Sequence, residues 1–397
     1  MFSSLKIVNF RVYWLGMFVS LIGTWVQNIA LSWLVFELTR SAFLLGLVGF
    51  LGSIPIFLFS IFGGVLADRM NKKNILIVTQ VSFMFLAFLL ALFTQFKLIT
   101  PTQIMFIALA NGIIMAFDAP ARQSIVVEMV GKDNLFNAIA LNSVAFNSSR
   151  IIGPAIGGLL ISAVGMSGCF YLNGLSFCAV IAALLWIKVK QSRVSVGSSA
   201  IRDFKIILVF VRTRRMILGL LSMVAAVSLF GISYVILMPV FASEVLHAQV
   251  KGLGILMSGT GLGALAGALI LARLGNFQHK GRLLVYAVFL FSASLVIFSL
   301  SRGYFLSLFS LVFVGSSSVI AISLVNTLLQ TNVPDRLRGR MMSLFMVTFA
   351  GITPFGNLIA GILAQYFGVS LALLICGCIC GGLFFVINLF FKEIKEL

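Results

Sequence analysis

An all-α membrane protein, built as twelve transmembrane helices in two parallel six-helix repeats, is the fold class this sequence predicts. Three observations carry that prediction. Of 397 residues, 61% are hydrophobic and only 10% charged, whereas soluble domains run at about 45–50% apolar and about 25% charged. The apolar residues fall in runs, each long enough to cross a hydrocarbon layer of about 30 Å as a helix. Short motifs then recur at an offset of roughly 200 residues. The same composition excludes a disordered chain, which would be poor in the apolar residues that 39 Phe supply here.

The runs lie near 12–36, 43–67, 74–96, 102–127, 136–163 and 168–188, and after a polar gap near 216–242, 252–274, 282–300, 304–330, 341–365 and 369–391. Each must be helical, because lipid offers no partner to an unpaired backbone N–H or C=O. The first run is too long for a signal peptide and has no small-residue cleavage site behind it, so it is expected to remain as a span. An N-terminal bundle over 1–188 and a C-terminal bundle over 216–397 are therefore joined by the segment 189–215. That segment opens with Gln191-Ser192-Arg193 and Gly197-Ser198-Ser199, a flexible composition. It continues with Ile201, Phe204, Ile207, Leu208 and Val211 at helical spacing against Arg202, Asp203, Lys205, Arg212, Arg214 and Arg215. The pattern predicts an amphipathic helix at the membrane surface, the alternative being an early start of span seven.

The formal charge is +18. In a soluble protein it would suggest nucleic acid; here it follows from the Lys and Arg excess of cytoplasmic loops. With both termini cytoplasmic, 24 of the 28 Lys and Arg fall on the inner side or inner half, leaving Arg40, Lys97, Lys251 and Arg302 outside. The expectation is a multi-pass protein of the inner (plasma) membrane with no nucleic-acid partner, acting as a monomer.

The repeat is read from Gly63-Gly64-Val65-Leu66-Ala67-Asp68-Arg69, echoed by Gly267-Ala268-Leu269-Ile270-Leu271-Ala272-Arg273, from Lys72-Lys73 answered by Lys280-Gly281-Arg282, and from Pro154 matched by Pro354. Six spans per half give both halves the same orientation, and repeats of this kind bind at the midplane and rock alternately.

Gly64, Asp68, Arg69, Lys72 and Lys73 form a group between spans two and three. Glycines there permit close helix approach, and an acid at the membrane edge can meet a basic neighbour or a helix N-terminus. Such a group is a candidate conformational latch; plain positive-inside residues would account for Lys72 and Lys73 but not for Asp68. In span five, Ser149-Arg150-Ile151-Ile152 precedes Gly153-Pro154-Ala155-Ile156-Gly157-Gly158. Pro154 removes a backbone donor, and Gly153, Gly157 and Gly158 permit a kink with close packing.

The stretch around Asp68 resembles the signature of the major facilitator superfamily between spans two and three. Asn71 stands where that family usually has Gly, and Ala272 replaces the acid in the second half, so the resemblance implies a latch in the first half only. The span-five stretch resembles the Gly-Pro motif of the superfamily's exporters, with Ser149 in place of a leading Gly; a packing kink without directional meaning is the alternative. Phe117-Asp118-Ala119-Pro120-Ala121-Arg122-Gln123, Leu135-x-Asn137-Ala138, Asn9-Phe10-Arg11, Gly23-Thr24-Trp25-Val26-Gln27 and Trp33-Leu34-Val35-Phe36-Glu37-Leu38-Thr39 narrow the likeness to the branch containing enterobactin exporters and macrolide-efflux proteins. The resemblance implies the major facilitator fold and a secondary active transporter, with proton-coupled export of an amphipathic organic molecule (drug, macrolide or siderophore) by alternating access.

Ionisable groups inside a membrane are costly and functional by default. Of ten acids, only Asp118 falls well inside a predicted span; Glu37 lies at the outer end of span one and Glu128 at the inner end of span four. Arg122 is one turn from Asp118. Arg150 is roughly 21 Å from the inner end of span five and Asp118 roughly 14 Å from that of span four, a difference a long side chain spans. Asp118, Arg122 and Arg150 are the proton-coupling candidates with Glu37 in reserve; a permanent structural ion pair is the competing account. Gln27, Asn28, Asn111, Asn142, Asn326 and Asn357 are candidate polar groups of a Phe-rich substrate cavity.

Cys169, Cys178, Cys376, Cys378 and Cys380 lie in apolar runs without His or acid, and His247 and His279 lie in loops on opposite sides. No metal, no cofactor and no catalytic residue is expected, and no phosphate-binding loop points to ATP. Two rival functions remain: a uniporter or lysolipid flippase of the same fold, favoured by the scarcity of acids, and a non-transporting membrane sensor or scaffold docking through 189–215.

Overall fold

The computed structural model describes residues 3–188, 207, 209–275, 277–391 and 393, without the side chains of residues 61, 68, 132, 335 and 336. The described secondary structure is helical. Helices α1 (Val8–Thr39), α2 (Ala42–Arg69), α3 (Lys72–Gln95) and α4 (Pro101–Gly131) come first. The stretch Asp133–Trp186 follows, broken at Gly165, whose φ of 73° is left-handed. At about 1.5 Å per residue it is roughly 80 Å long, enough for two crossings. Its parts are α5 (133–164) and α6 (166–186). Then come α7 (Arg215–Val245), α8 (Val250–Leu274), α9 (Lys280–Leu300), α10 (Tyr304–Thr331), α11 (Asp335–Phe367) and α12 (Val369–Phe390).

Local chemistry explains the boundaries. Thr100 and Gln103 form a capping box that spans Pro101, whose missing N–H is not needed at the first helical position. Asn71 caps α3 by accepting from Lys73 N at 3.0 Å, a task the usual Gly cannot perform. Two π-helical turns, Val227–Gly231 and Phe241–Val245, interrupt α7 on either side of Pro239. Of the predicted surface helix, residues 201–206 and 208 lie outside the described residues. Ile207 and Val211 are buried while Val209 is exposed, which is one-sided helical burial.

The chain divides into two compact units. Unit 1 comprises Met1–Arg40, Leu51–Val196 and Ala248–Ser258; unit 2 comprises Ser41–Phe50, Gly197–His247 and Gly259–Leu397. Within unit 1, Gly63 presses α2 onto α4: a Cβ there would stand 2.1 Å from Ala116 O. Within unit 2, Gly267 presses α8 onto α10, its Cβ position being 2.4 Å from Ser316 O. Both units thus contain the same small-residue crossing, at the glycines that mark the sequence repeat.

The exchanged segments also have a packing cause. Gly254, at the start of α8, joins unit 1 because it abuts α5, with its Cβ position 2.5 Å from Pro154 O; Ser258 Oγ donates to Ile151 O at 2.8 Å. Gly46, at the start of α2, joins unit 2 because its Cβ position is 2.5 Å from Asn357 O on α11, and Phe50 meets Phe355 edge-on. In unit 1 a core of Phe10, Met17, Ala67, Leu76, Ile125 and Leu184 seals one end of the bundle around the ionisable residues described next.

Candidate functional site

Asp118 is fully buried on α4 of unit 1. Its Oδ1 accepts from Thr79 Oγ1 and from Gln80 Nε2, both at 2.7 Å from α3. Its Oδ2 accepts from Arg122 Nε at 2.9 Å and from Arg122 Nη2, the fork geometry that suits guanidinium to carboxylate. Four donors fill the lone-pair positions of the two oxygens, so the burial of this charge is compensated in full. The arginine side chain remains 26% exposed and the aspartate 0%, so the carboxylate is approached along its partner.

Local structure creates the arrangement. Pro120 cannot donate to Ala116 O, and Gly63 packs against that carbonyl, so α2 lies close to α4 beside the aspartate. Tyr13 and Met17 of α1 close the site; Arg122 Nη1 reaches Met17 Sδ, and the Tyr13 ring is 2% exposed. The Tyr13 hydroxyl and Gln80 Oε1 are buried without a hydrogen-bond partner among the described residues. The Thr79 hydroxyl has two acceptors within reach, Asp118 Oδ1 at 2.7 Å and Leu76 O at 3.0 Å.

The other residues singled out in the sequence are distributed as follows. Arg150 is half-buried on α5 and, among the described residues, is joined to no carboxylate; Asp118 takes Arg122 instead, because a partner one turn away on the same helix needs no side-chain extension across a helix gap. Glu37 is exposed near the end of α1. Lys72 Nζ meets Glu128 Oε1 at 2.6 Å, both side chains nearly buried, tying the start of α3 to the end of α4. Lys73 Nζ donates to the carbonyls of Leu185 and Ile187 at the end of α6, where a cation suits the helix dipole. Arg69 is exposed, Gly64 has no neighbour within 4 Å of its Cβ position, and the Asp68 side chain lies outside the described residues.

In α5, Gly153 would place a Cβ 2.3 Å from Trp25 Cβ, Gly157 faces Val26 of α1, and Gly158 faces Val250 and Gly254 of α8. Gln27 is buried and accepts from Asn173 Nδ2 at 2.8 Å, while Asn28 is exposed and Asn111 and Asn142 are half-buried. In unit 2, Asn326 accepts from Gln330 Nε2 at 2.6 Å, and Asn357 lies beside Gly49. No hydrogen bond among the described residues joins these six candidates to one another. All five cysteines are free, and no group of three His, Cys, Asp or Glu is gathered among the described residues.

Thr79, Gln80, Tyr13 and Asn173 escaped the sequence reading. For most of them the signal was present: Thr79 and Gln80 are adjacent polar residues amid the apolar run of α3, and Asn173 and Ser176 recur at helical spacing in α6. What the run of letters lacks is the register that turns α3 toward Asp118.

Comparison with known proteins follows the same lines. Residues 1–396 match the family described as transmembrane secretion effector. The Staphyloferrin A transporter of Staphylococcus aureus is 26% identical over 366 residues, covering 90% of each chain. Macrolide efflux protein A of Streptococcus pyogenes is 23% identical over 93% of each chain. The enterobactin exporter of Shigella boydii is 26% identical, covering 85% of this chain and 80% of its own. Among solved structures, a D-xylose-proton symporter superposes with a TM-score of 0.77 at 12% identity, covering 97% of this chain and 99% of that one. A bacterial Spinster homologue in an inward-facing conformation gives 0.73 at 13% identity over 98% of each. At such identity these structures speak to fold alone. With a twelve-helix membrane fold, a repeated helix crossing and a family match across its length, the chain belongs to the transmembrane secretion effector family of major facilitator transporters.

Proposed function

We propose that this transporter exports an amphipathic organic molecule in exchange for protons, with Asp118 as the proton-carrying group and Arg122 as its exchangeable partner. The observation that carries the reading is the Thr79 hydroxyl, set between Asp118 Oδ1 and Leu76 O. When the carboxylate is ionised, Thr79 donates to it. When Asp118 takes a proton on Oδ1, that O–H donates to Thr79 Oγ1 while the threonine hydrogen turns to Leu76 O, and Arg122 loses its charged partner. Both protonation states are then satisfied without moving a helix, which a permanent ion pair does not need. Arg122, the partly exposed member, is the group freed to swing toward the transport path.

Relatives named for macrolide efflux and enterobactin export support outward movement of such a cargo, and a relative named for staphyloferrin A transport supports an organic cargo. The charge asymmetry of the loops supports cytoplasmic termini in the inner membrane. Asp68, with Lys72 and Lys73 already anchored to α4 and α6, is assigned to the latch that biases one conformation.

The test is transport in proteoliposomes with an imposed pH gradient across a panel of siderophores, drugs and lysolipids. Flux that follows the gradient supports the reading. Flux indifferent to pH would replace it with the uniporter or flippase, and the absence of any flux across the panel would favour the scaffold.

A further inference from the structure

Arg150 is an ionisable residue deep within α5 that the proton site leaves unused. It lies roughly 26 Å along α5 from Asp133 and roughly 22 Å from the break at Gly165, deeper than a side chain can extend to reach either end. Among the described carboxylates of unit 1, Asp118 is held by Arg122 and Glu128 by Lys72, while Glu37 and Asp133 are exposed toward helix ends. A cation at such depth requires a counter-charge or a wet cavity.

The surroundings specify what supplies it. Ser143, Asn147 and Arg150 follow one another at four and three residues, a polar stripe on one face of α5. Ser143 is exposed and its carbonyl accepts from Asn147 Nδ2 at 2.8 Å. Phe146, exposed and four residues before Arg150, meets Trp25 of α1 edge-on at 6.1 Å between ring centroids. Just beyond Arg150 the helix becomes closely packed: Ile151 O accepts from Ser258, Gly153 abuts Trp25 and Gly158 abuts Gly254. The stripe therefore ends at Arg150, where the packing closes, with Phe146 one turn before it on α5 and its ring partner Trp25 packed against Gly153 just beyond.

We propose that Arg150 anchors an amphipathic organic monoanion, its carboxylate on the guanidinium and its apolar body against Phe146 and Trp25. A single cation flanked by neutral amides and hydroxyls matches one negative charge, and a carboxylate is the group a guanidinium binds in parallel. The proposal names the cargo class of the transport reading above and rests on that reading for its biological use, not for the binding itself.

The test uses the full-length protein in nanodiscs with pyrenebutyrate, its methyl ester and 1-pyrenebutylamine, read by energy transfer from tryptophan to pyrene. Wild-type protein should bind the acid saturably and at least ten times more tightly than the ester or the amine. Arg150→Gln should bring the acid to the level of the ester, and Arg150→Lys should keep part of the preference. Without probe, Arg150→Gln should melt no lower than wild type, since a cation joined to no carboxylate among the described residues is removed. A wild-type protein with no saturable acid binding or no preference for the acid overturns the proposal. So does an Arg150→Gln protein that still prefers the acid or melts well below wild type, the last because Arg150 then has a structural partner. Acid bound through Arg150 but not moved by a pH gradient would leave this site standing and remove the proton-coupled reading.

Discussion

Asp118 and Arg122, one helical turn apart on α4, share a forked ion pair in which the carboxylate is wholly buried and the guanidinium is partly exposed. The asymmetry assigns different consequences to losing each partner. Removing the arginine strands a wholly buried charge; removing the charge of the aspartate leaves a cation whose side chain is still 26% exposed.

Asp118→Asn should therefore fold, bind cargo and exchange it across the membrane, yet fail to accumulate cargo against a pH gradient. Arg122→Gln should be the more damaging change to stability, by about 3–5 kcal/mol where the aspartate stays ionised. Counterflow and gradient-driven flux measured on the same vesicles, with thermal melting, separate the two. A stable Asp118→Asn protein with full gradient-driven transport would sink the assignment.

Thr79→Ser keeps a hydroxyl between Asp118 and Leu76 and should retain transport and its pH profile. Thr79→Val removes one donor to the carboxylate, at a cost of about 1–3 kcal/mol, and should displace the pH dependence of flux. If valine leaves the profile where serine does, the hydroxyl is only a structural tie.

Lys72 and Glu128 are both nearly buried and in contact, so they should be coupled. Lys72→Met and Glu128→Gln should each lower the melting temperature, and the double variant should lose less than the two losses combined, with a coupling of about 0.5–3 kcal/mol. Additive losses would show that the pair contributes nothing as a pair.

Gly63 and Gly64 are neighbours in sequence with opposite environments. Gly63→Ala must displace α2 from α4, since its Cβ would stand 2.1 Å from Ala116 O. Gly64→Ala meets nothing within 4 Å and should stabilise the helix by about 0.5–1 kcal/mol. Melting temperatures of the two alanine variants give the comparison, and equal effects would contradict the packing. Transport by Gly64→Ala tests its place in the latch, because a conformational role would lower flux without lowering stability.

Asp68→Asn should impair transport more than cargo binding, as expected of a group that biases two conformations without touching cargo. Equal loss of affinity and flux would place Asp68 elsewhere in the mechanism.

Hydropathy and charge along the chain already specify the helices, the repeat and Asp118 as the acid well inside a span, which is the buried acid among the described residues. Lipid leaves backbone groups no partner but their own helix, so hydropathy and span length decide the elements before any packing is known. Charge is equally legible, since Asp118 is conspicuous against an apolar run. Only the tertiary structure decided the rest: that Asp118 takes Arg122 and leaves Arg150, that Thr79 and Gln80 complete its shell, that Gly63 and not Gly64 carries the close crossing, and that Gln27 is occupied by Asn173. Each depends on the rotation of one helix against its neighbour. Inside a bilayer the helix faces are nearly uniform in hydropathy, so the pattern that orients an amphipathic helix in water is weak here. Orientation is set instead by small-residue contacts and a few buried hydrogen bonds, whose partners lie far apart in the chain.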